Sequence, residues 1–384
     1  MASGVMGGAM VAAGGGYHRR RLAGLTMTTL KTLESEPWPP ADLETLSACE
    51  VCGGSDRPVW LAGLADRIFG VAPGRWQLRR CTACRVAALD PRPTEASIGR
   101  AYIRYYTHDQ GPERHFLVPG DRPDLAVKRA LHADYLNRVL GHRLAPALPL
   151  GRWLIGASAS RRARAGHTIR HLPAPVAAGA RLLDVGCGNG SFLRVARTLG
   201  FQAEGIEIDE VAGQLARDAG FAVHGGPLTS AAFEPARFEH ILLNHVIEHL
   251  HQPMQALRRL RGWLRPGGRI WLQTPNLASR GAARYGVAWR GLEPPRHLVL
   301  FDAGSLCAAL EAAGFERPRL LAPLRDAGFF IQQSEAVQAG LDPYDAGRPK
   351  ASQRRLARQW NRDSAADWSS AEAITVQAWC PSAD

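Results

Sequence analysis

The chain has 384 residues, 46% hydrophobic and 21% charged, with a formal net charge of +12 at pH 7, an ordinary make-up for a globular protein of two or three domains. No apolar run approaches the ~18 residues of a membrane span, and His18-Arg-Arg-Arg21 follows the small residues of the N-terminus instead of preceding them. Neither membrane insertion nor a signal peptide is expected, and the cytoplasm is the default compartment.

The positive charge is mostly arginine. Because no dense run interleaves Lys and Arg with aromatics, it reads as a solvated exterior before a nucleic-acid surface. Residues 1–45 are rich in Gly, Ala, Thr and Pro with little periodicity, so a disordered tail is expected, and Met27 is an equally good start. Residues 46–100 hold two Cys-x-x-Cys pairs, Cys49/Cys52 and Cys81/Cys84, separated by 28 residues. Each pair can turn on a tight knuckle with both thiolates facing one point, and two knuckles complete the tetrahedral Cys₄ set that Zn²⁺ prefers. Four thiolates leave no open position for water, so a structural zinc is expected ahead of a redox pair or disulfides. Replacing Cys49 or Cys84 should loosen this module and leave the rest folded. Residues 101–178 read as a helical cover and connector. Leu125, Val127, Leu131, Tyr135 and Leu136 recur near a helical period, and Leu172-Pro-Ala-Pro-Val176 punctuates the entry to the next domain.

Residues 179–324 carry the chemistry. Arg181-Leu-Leu-Asp-Val185 reads as a buried parallel strand, Gly186-Cys-Gly-Asn-Gly190 as a tight turn before a helix, and Glu204-Gly-Ile-Glu-Ile208 as the end of a second strand. The glycines let the backbone approach a ligand, and Glu207, at the usual spacing of about 20 residues, offers an acceptor pair for two ribose hydroxyls. Ser191 stands where a dinucleotide fingerprint needs its last glycine, so a pyrophosphate is not the natural guest.

Phe221–His224 is the expected third strand and Phe238–Asn244 the fourth. Pro253 opens a helix with Met254, Leu257, Leu260 and Leu264 on one face, Leu264–Arg269 is a turn before the fifth strand, and Gly314-Phe315 starts the sixth. Ligands of such sheets bind at the carboxyl ends of the strands, which puts Asn244, His245, Glu248 and His249 at the mouth. His245-Val-Ile-Glu-His249 also matches a zinc-peptidase pattern, but that pattern needs a helix where this sequence has a β-like run. Glu248 and His249 then either act on a substrate or only organise the loop. Residues 325–384 are an insertion, polar to about 370 and either a flap or a surface loop, followed by a closing antiparallel strand at Ile374–Trp379.

The run Leu183-Asp-Val-Gly-Cys-Gly-Asn-Gly190 resembles the first motif of the class I S-adenosylmethionine (SAM) methyltransferases, and Phe238–Leu250 and Leu264–Arg269 resemble later motifs in the family's order. The resemblance implies a Rossmann-like α/β fold with a seven-stranded sheet. It implies SAM contacts at Asp184, Gly186, Cys187, Gly188, Glu207, Ile208, Leu228, Asn244 and His245. It also implies catalysis by Glu248, His249 and His297, with His249 as base and His297 binding the acceptor on a substrate-side lid, Trp289–Leu298.

Val86–Thr94 followed by Tyr102-Ile-Arg-Tyr-Tyr106 is similar to bacterial methyltransferases of small molecules and surface sugars. O-methylation of a small-molecule or glycan-type acceptor is therefore expected, with C-methylation behind it. Some quinone O-methyltransferases hold a divalent cation in the Glu-His region. A zinc-ribbon RNA methyltransferase is a rival, though the Asn/Asp-Pro-Pro-Tyr/Phe of base-methylating enzymes is replaced here by Asn244-His-Val-Ile. A non-catalytic zinc- and SAM-binding protein is another, against which the intact Asp184, Glu207, Glu248 and His249 stand.

Overall fold

A computed structural model describes residues 37–102 and 115–382. The N-terminal module supplies β1 (Leu43–Glu44), β2 (Val59–Leu64), β3 (Trp76–Arg80), β4 (Ala87–Leu89) and β5 (Arg92–Pro93). β1 pairs antiparallel with β5, while β2, β3 and β4 form an antiparallel meander. The part of the expected tail that is described, residues 37–45, is ordered. Trp38 is buried edge-on against Trp76, ring centroids 5.6 Å apart, and one large aromatic provides apolar area that the Gly/Ala-rich average conceals.

In the connector, helices span Ala126–Leu140, Gly151–Gly156 and Ala159–Thr168. Tyr135 and Leu136 are buried as expected, but with Ala130 and Ala133, whereas Val127 is exposed. The first two helices meet at small residues: a Cβ on Gly151 would lie 1.8 Å from the Leu131 carbonyl oxygen. Close backbone approach, not the largest side chains, sets the buried face. Tyr105 and Tyr106 lie outside the described residues.

The central sheet contains β6 (Arg181–Val185), β7 (Gln202–Glu207), β8 (Ala222–Gly225), β9 (Phe238–Asn244) and β10 (Leu264–Pro275). β11 (Val299–Leu300) belongs elsewhere, and β12 (Glu316–Leu320) and β13 (Ala373–Trp379) complete the set. The strand order is β12-β13-β10-β9-β6-β7-β8, with β13 antiparallel to both of its neighbours. This is the seven-stranded α/β sheet that the motifs imply. Alternation decides its two faces: Leu183, Val185, Ile241, Leu243, Ile270 and Leu272 pack on one side, and Leu182, Leu242 and Trp271 on the other with Leu136, Ile155 and Leu172 of the connector. Fully burying each such side chain is worth about 1.5–3 kcal/mol. Chain order reverses between β6 and β9, which opens the crevice where ligands of such sheets bind.

The polar insertion is neither flap nor loop. Its helices, Ala327–Gln338 and Ala351–Ala366, place Ile331, Val337 and Trp360 in one core with Trp289 and with Phe69 and Trp76 of the N-terminal module. Their polar composition is absorbed by internal hydrogen bonds, Gln353 Nε2 to Glu335 Oε2 at 2.8 Å and the buried Arg290 Nε to Gln333 Oε1 at 2.7 Å.

Several histidines are packed into this interior. Burial pushes the His240 imidazolium down to about 4 against the pull of Glu239, and burial lowers His171 and His167 as well. Below the ordinary histidine value of about 6.5 the unfolded chain takes up protons that the folded chain refuses, so stability is fully present above that pH and falls at lower pH until the folded value near 4 is reached. For His240 the loss should approach about 1.4 kcal/mol per pH unit. Urea unfolding between pH 7 and 5 should show a falling midpoint, with a shallower slope in His240→Leu; a flat profile would refute the burial argument.

Candidate active site

Three glycines shape the turn after β6: Gly186, Gly188 and Gly190 have φ of +72°, +55° and +78°, angles at which a Cβ is penalised. The turn lies under Glu207, whose Oε2 accepts the Gly188 N–H at 2.6 Å and whose Oε1 accepts the Asp209 N–H at 2.9 Å. Burial raises the Glu207 carboxyl and these amides oppose the rise. Gly226 donates its N–H to the Glu207 carbonyl at 2.9 Å, which brings the loop carrying Leu228 to the same place. Ile208, the next residue, is 69% exposed.

Asp184 is buried and paired with Arg170; burial raises its carboxyl and Arg170 lowers it. Arg170 was not legible in the sequence. It comes before β6, has a left-handed φ of +48° and stacks 3.8 Å over the Phe192 ring, and no motif spacing marks it. Cys187 is buried with its thiol raised by burial, first of all, and by Asp184 and Glu207, so it is no nucleophile.

Beside this turn stands the loop after β9. A Cβ on Gly186 would come within 2.7 Å of Val246 Cγ2, so the two loops touch. Asn244 ends β9 opposite Gln273 of β10. His245, at φ +55°, donates its backbone N–H to the Gln273 carbonyl and turns its ring to Glu248, Nδ1 to Oε1 3.1 Å, so its side chain serves Glu248 in this structure. Ile247–His249 forms one 3₁₀ turn directly after a strand, which disposes of the peptidase reading.

Glu248 is fully buried, and Thr274 Oγ1 donates to its Oε2 at 3.0 Å. Burial alone would raise its carboxyl. The hydrogen bond from His245 and the imidazoles of His245, His249 and His297 outweigh that and bring it down to about 2. One ligand-type atom from each of Glu248, His249 and His297 lies within 4.8 Å of the other two. His249 Nδ1 is 3.0 Å from the Arg296 carbonyl, which can only accept, so Nδ1 carries the proton and Nε2 the lone pair. The Tyr102 hydroxyl lies 2.9 Å from the same Nδ1. His297 is fixed likewise by the Gly291 carbonyl at 2.8 Å from its Nδ1, and its ring meets His249 edge-on at 4.8 Å. Burial above all lowers its pKa to about 4.

The expected lid, Trp289–Leu298, is a buried spine. Arg296, with no exposed surface, pairs with the buried Asp66, donates to the Ala101 carbonyl at 3.0 Å and stacks 4.4 Å over Phe69. Asp66 in turn accepts the N–H groups of Phe69, Val71 and Ala72 at 3.0–3.2 Å. The charges expected of a solvent-facing lid are instead consumed in pairs inside the protein.

The four cysteines converge as the spacing requires. Gly53 and Arg85, both left-handed, close the two knuckles by donating to the Cys49 and Cys81 carbonyls at 2.8 and 2.9 Å. Cys49–Cys84 and Cys52–Cys81 sulfurs are each 3.5 Å apart, and all four fall within 4.8 Å of one another. A tetrahedral zinc with Zn–S of about 2.3 Å needs sulfurs about 3.8 Å apart, so the set fits. The Cys81 thiol comes down to about 7, because the amides of Cys84 and Ala83 and the neighbouring thiols outweigh its burial. This module is not separable. β4 pairs antiparallel with β11, only two residues beyond His297, and the Leu298 N–H donates to the Glu248 carbonyl at 2.8 Å.

Residues 157–317 match a family described as a methyltransferase domain. The ubiquinone biosynthesis O-methyltransferase of Ralstonia nicotianae is 29% identical over 156 residues, covering 38% of this chain and 64% of its own length. That of Ruegeria pomeroyi is 33% identical over 122 residues, covering 30% and 48%. The chain thus spans between about half and just under two thirds of the length of these relatives. Among solved structures the [4+2]-cyclase SpnF aligns with a TM-score of 0.39 at 20% identity, covering 67% of this chain and 96% of its own.

Proposed function

We propose, from the match of residues 157–317 to a methyltransferase domain and the likeness to O-methyltransferases, that this class I SAM-dependent methyltransferase moves the methyl group of SAM to a hydroxyl oxygen of a small-molecule or glycan-type acceptor. The observation that carries this reading is the convergence of His297 with Glu248 and His249, which stand on the loop touching the glycine turn. Bound SAM supplies an electrophilic methyl group on a sulfonium. The chain's own task is alignment and proton removal.

Glu207 takes the ribose hydroxyls, and the exposed Ile208 offers an apolar face to the base. His249 receives the acceptor's proton at Nε2, its Nδ1–H held by the Arg296 carbonyl. The ionised Glu248 stabilises the imidazolium so formed. The buried, neutral His297 is a positioning residue that sets the ring of His249. Removing the Glu207 carboxylate should weaken SAM by about 1.5–3 kcal/mol; calorimetry finding equal affinity in Glu207→Ala would take it out of the site.

Zinc at Cys49, Cys52, Cys81 and Cys84 is assigned a structural part, and a thiolate site of this kind suits a reducing compartment such as the cytoplasm. A second reading rests on the same carboxylate and two imidazoles, a set that also suits a divalent transition metal. Metal analysis of the purified chain separates the two. One zinc, lost in Cys84→Ser together with thermal stability, supports the structural site alone. A second metal that survives Cys84→Ser and vanishes in Glu248→Gln supports the cation reading. Iron in the thiolate site, or no metal at all, contradicts the zinc assignment.

A further inference from the structure

The connector has a surface that the proposed chemistry leaves unused. From Tyr135 to Leu183 the sequence holds eight arginines and no Asp or Glu, and although Arg138, Arg170 and Arg181 pair with Asp134, Asp184 and Glu204 outside it, the others add positive charge. Within it, Leu148, Leu150, Trp153 and Leu154 are 41%, 63%, 64% and 46% exposed. Single exposed apolar residues are ordinary, but four within seven positions form a patch.

The patch is set among positive charge. Arg152 stacks 4.6 Å from the Trp153 ring, Arg161 donates to the Leu154 carbonyl at 2.7 Å, and Arg162 donates to the Gly156 carbonyl. All three are exposed, and the last two donate to carbonyls, which leave the positive charge uncompensated. Asp134, at the head of this stretch, is taken up by Arg138 and by the Arg152 N–H.

We infer that this face docks on an anionic lipid surface, with Trp153 and the leucines entering the interfacial layer and the arginines meeting phosphate. An aromatic beside aliphatic chains, ringed by arginine, is the composition of a segment lying in a membrane interface. A single-stranded nucleic acid would want successive aromatic platforms, and here one tryptophan stands among leucines. No helix among the described residues is long and apolar enough to cross a membrane, so the contact is peripheral.

The test is co-sedimentation of the full chain with phosphatidylcholine vesicles and with vesicles in which about a third of the lipid is phosphatidylglycerol. The chain should pellet with the anionic vesicles at low salt and be released at about 0.5 M salt. W153S/L154S and R161E/R162E should each lower the partition coefficient about tenfold or more, while both variants bind SAM like the parent, which shows that they are folded. Absence from the anionic pellet overturns the inference, and so does binding that ignores W153S/L154S. Trp153-dependent binding of oligo(U) RNA without vesicle binding assigns the face to nucleic acid instead. A dimer that W153S/L154S converts to monomers assigns it to a second copy of this chain.

Discussion

Asp66→Ala is expected to destabilise the protein by about 3–5 kcal/mol, the cost of removing one partner of a buried ion pair. Arg296 and Asp66 have 0% and 1% of their side-chain surface exposed. Removing the carboxylate leaves the guanidinium only the more distant Glu293, Nε to Oε2 3.7 Å, and the Ala101 carbonyl, and also releases the N–H groups of Phe69, Val71 and Ala72. Denaturant unfolding reads the loss directly. The double variant Asp66→Leu/Arg296→Met should recover most of it, because the buried charge that has lost its main partner, not the missing pair, carries the penalty. Its activity should stay low, since the Arg296 backbone that holds His249 Nδ1 loses the anchors at Asp66 and the Ala101 carbonyl. Near-parental stability of Asp66→Ala would mean that Arg296 finds water or another partner.

His249→Ala should bind SAM as the parent does and lose about 10²–10⁴ in turnover, the usual share of a general base. The structure sharpens the expectation, because the Arg296 carbonyl fixes the tautomer and the Glu248 carboxyl, brought down to about 2, is ionised near neutral pH. His297→Ala should also lower kcat, with the acceptor's KM little changed, because a buried positioning residue does not touch the acceptor. A loss in KM alone would return His297 to acceptor binding. Turnover by His249→Ala close to the parent's would make the Glu-His pair an organiser of the loop and nothing more.

The middle of the sheet was readable because β6 is a short apolar run ended by a glycine turn, β7 ends in an acid, and β9 begins and ends where the Phe238–Asn244 pattern does. The Cys₄ set was readable because four residues of one type at fixed spacing carry their own geometry. What stayed hidden depends on distant pairs. Asp66 and Arg296 are 230 positions apart, and neither shows in the sequence that it is buried. Arg170 has no motif around it. Trp289–Leu298 was expected as a substrate-side lid from its resemblance alone, whereas its arginines are paired internally with Glu293 and Asp66. Nor does local composition reveal that β11 closes the sheet of the zinc module, since a two-residue strand has no period.

The central claim is that this chain methylates a small hydroxyl compound through His249. Its most direct test is incubation of the purified protein, with SAM labelled in the methyl group, against a cell extract divided into low-mass, RNA and protein fractions, followed by mass spectrometry of the labelled product. The account predicts label on oxygen in a low-mass or glycan compound, and none from His249→Ala. Label in RNA, or no transfer in any fraction from a protein that binds SAM, would contradict it.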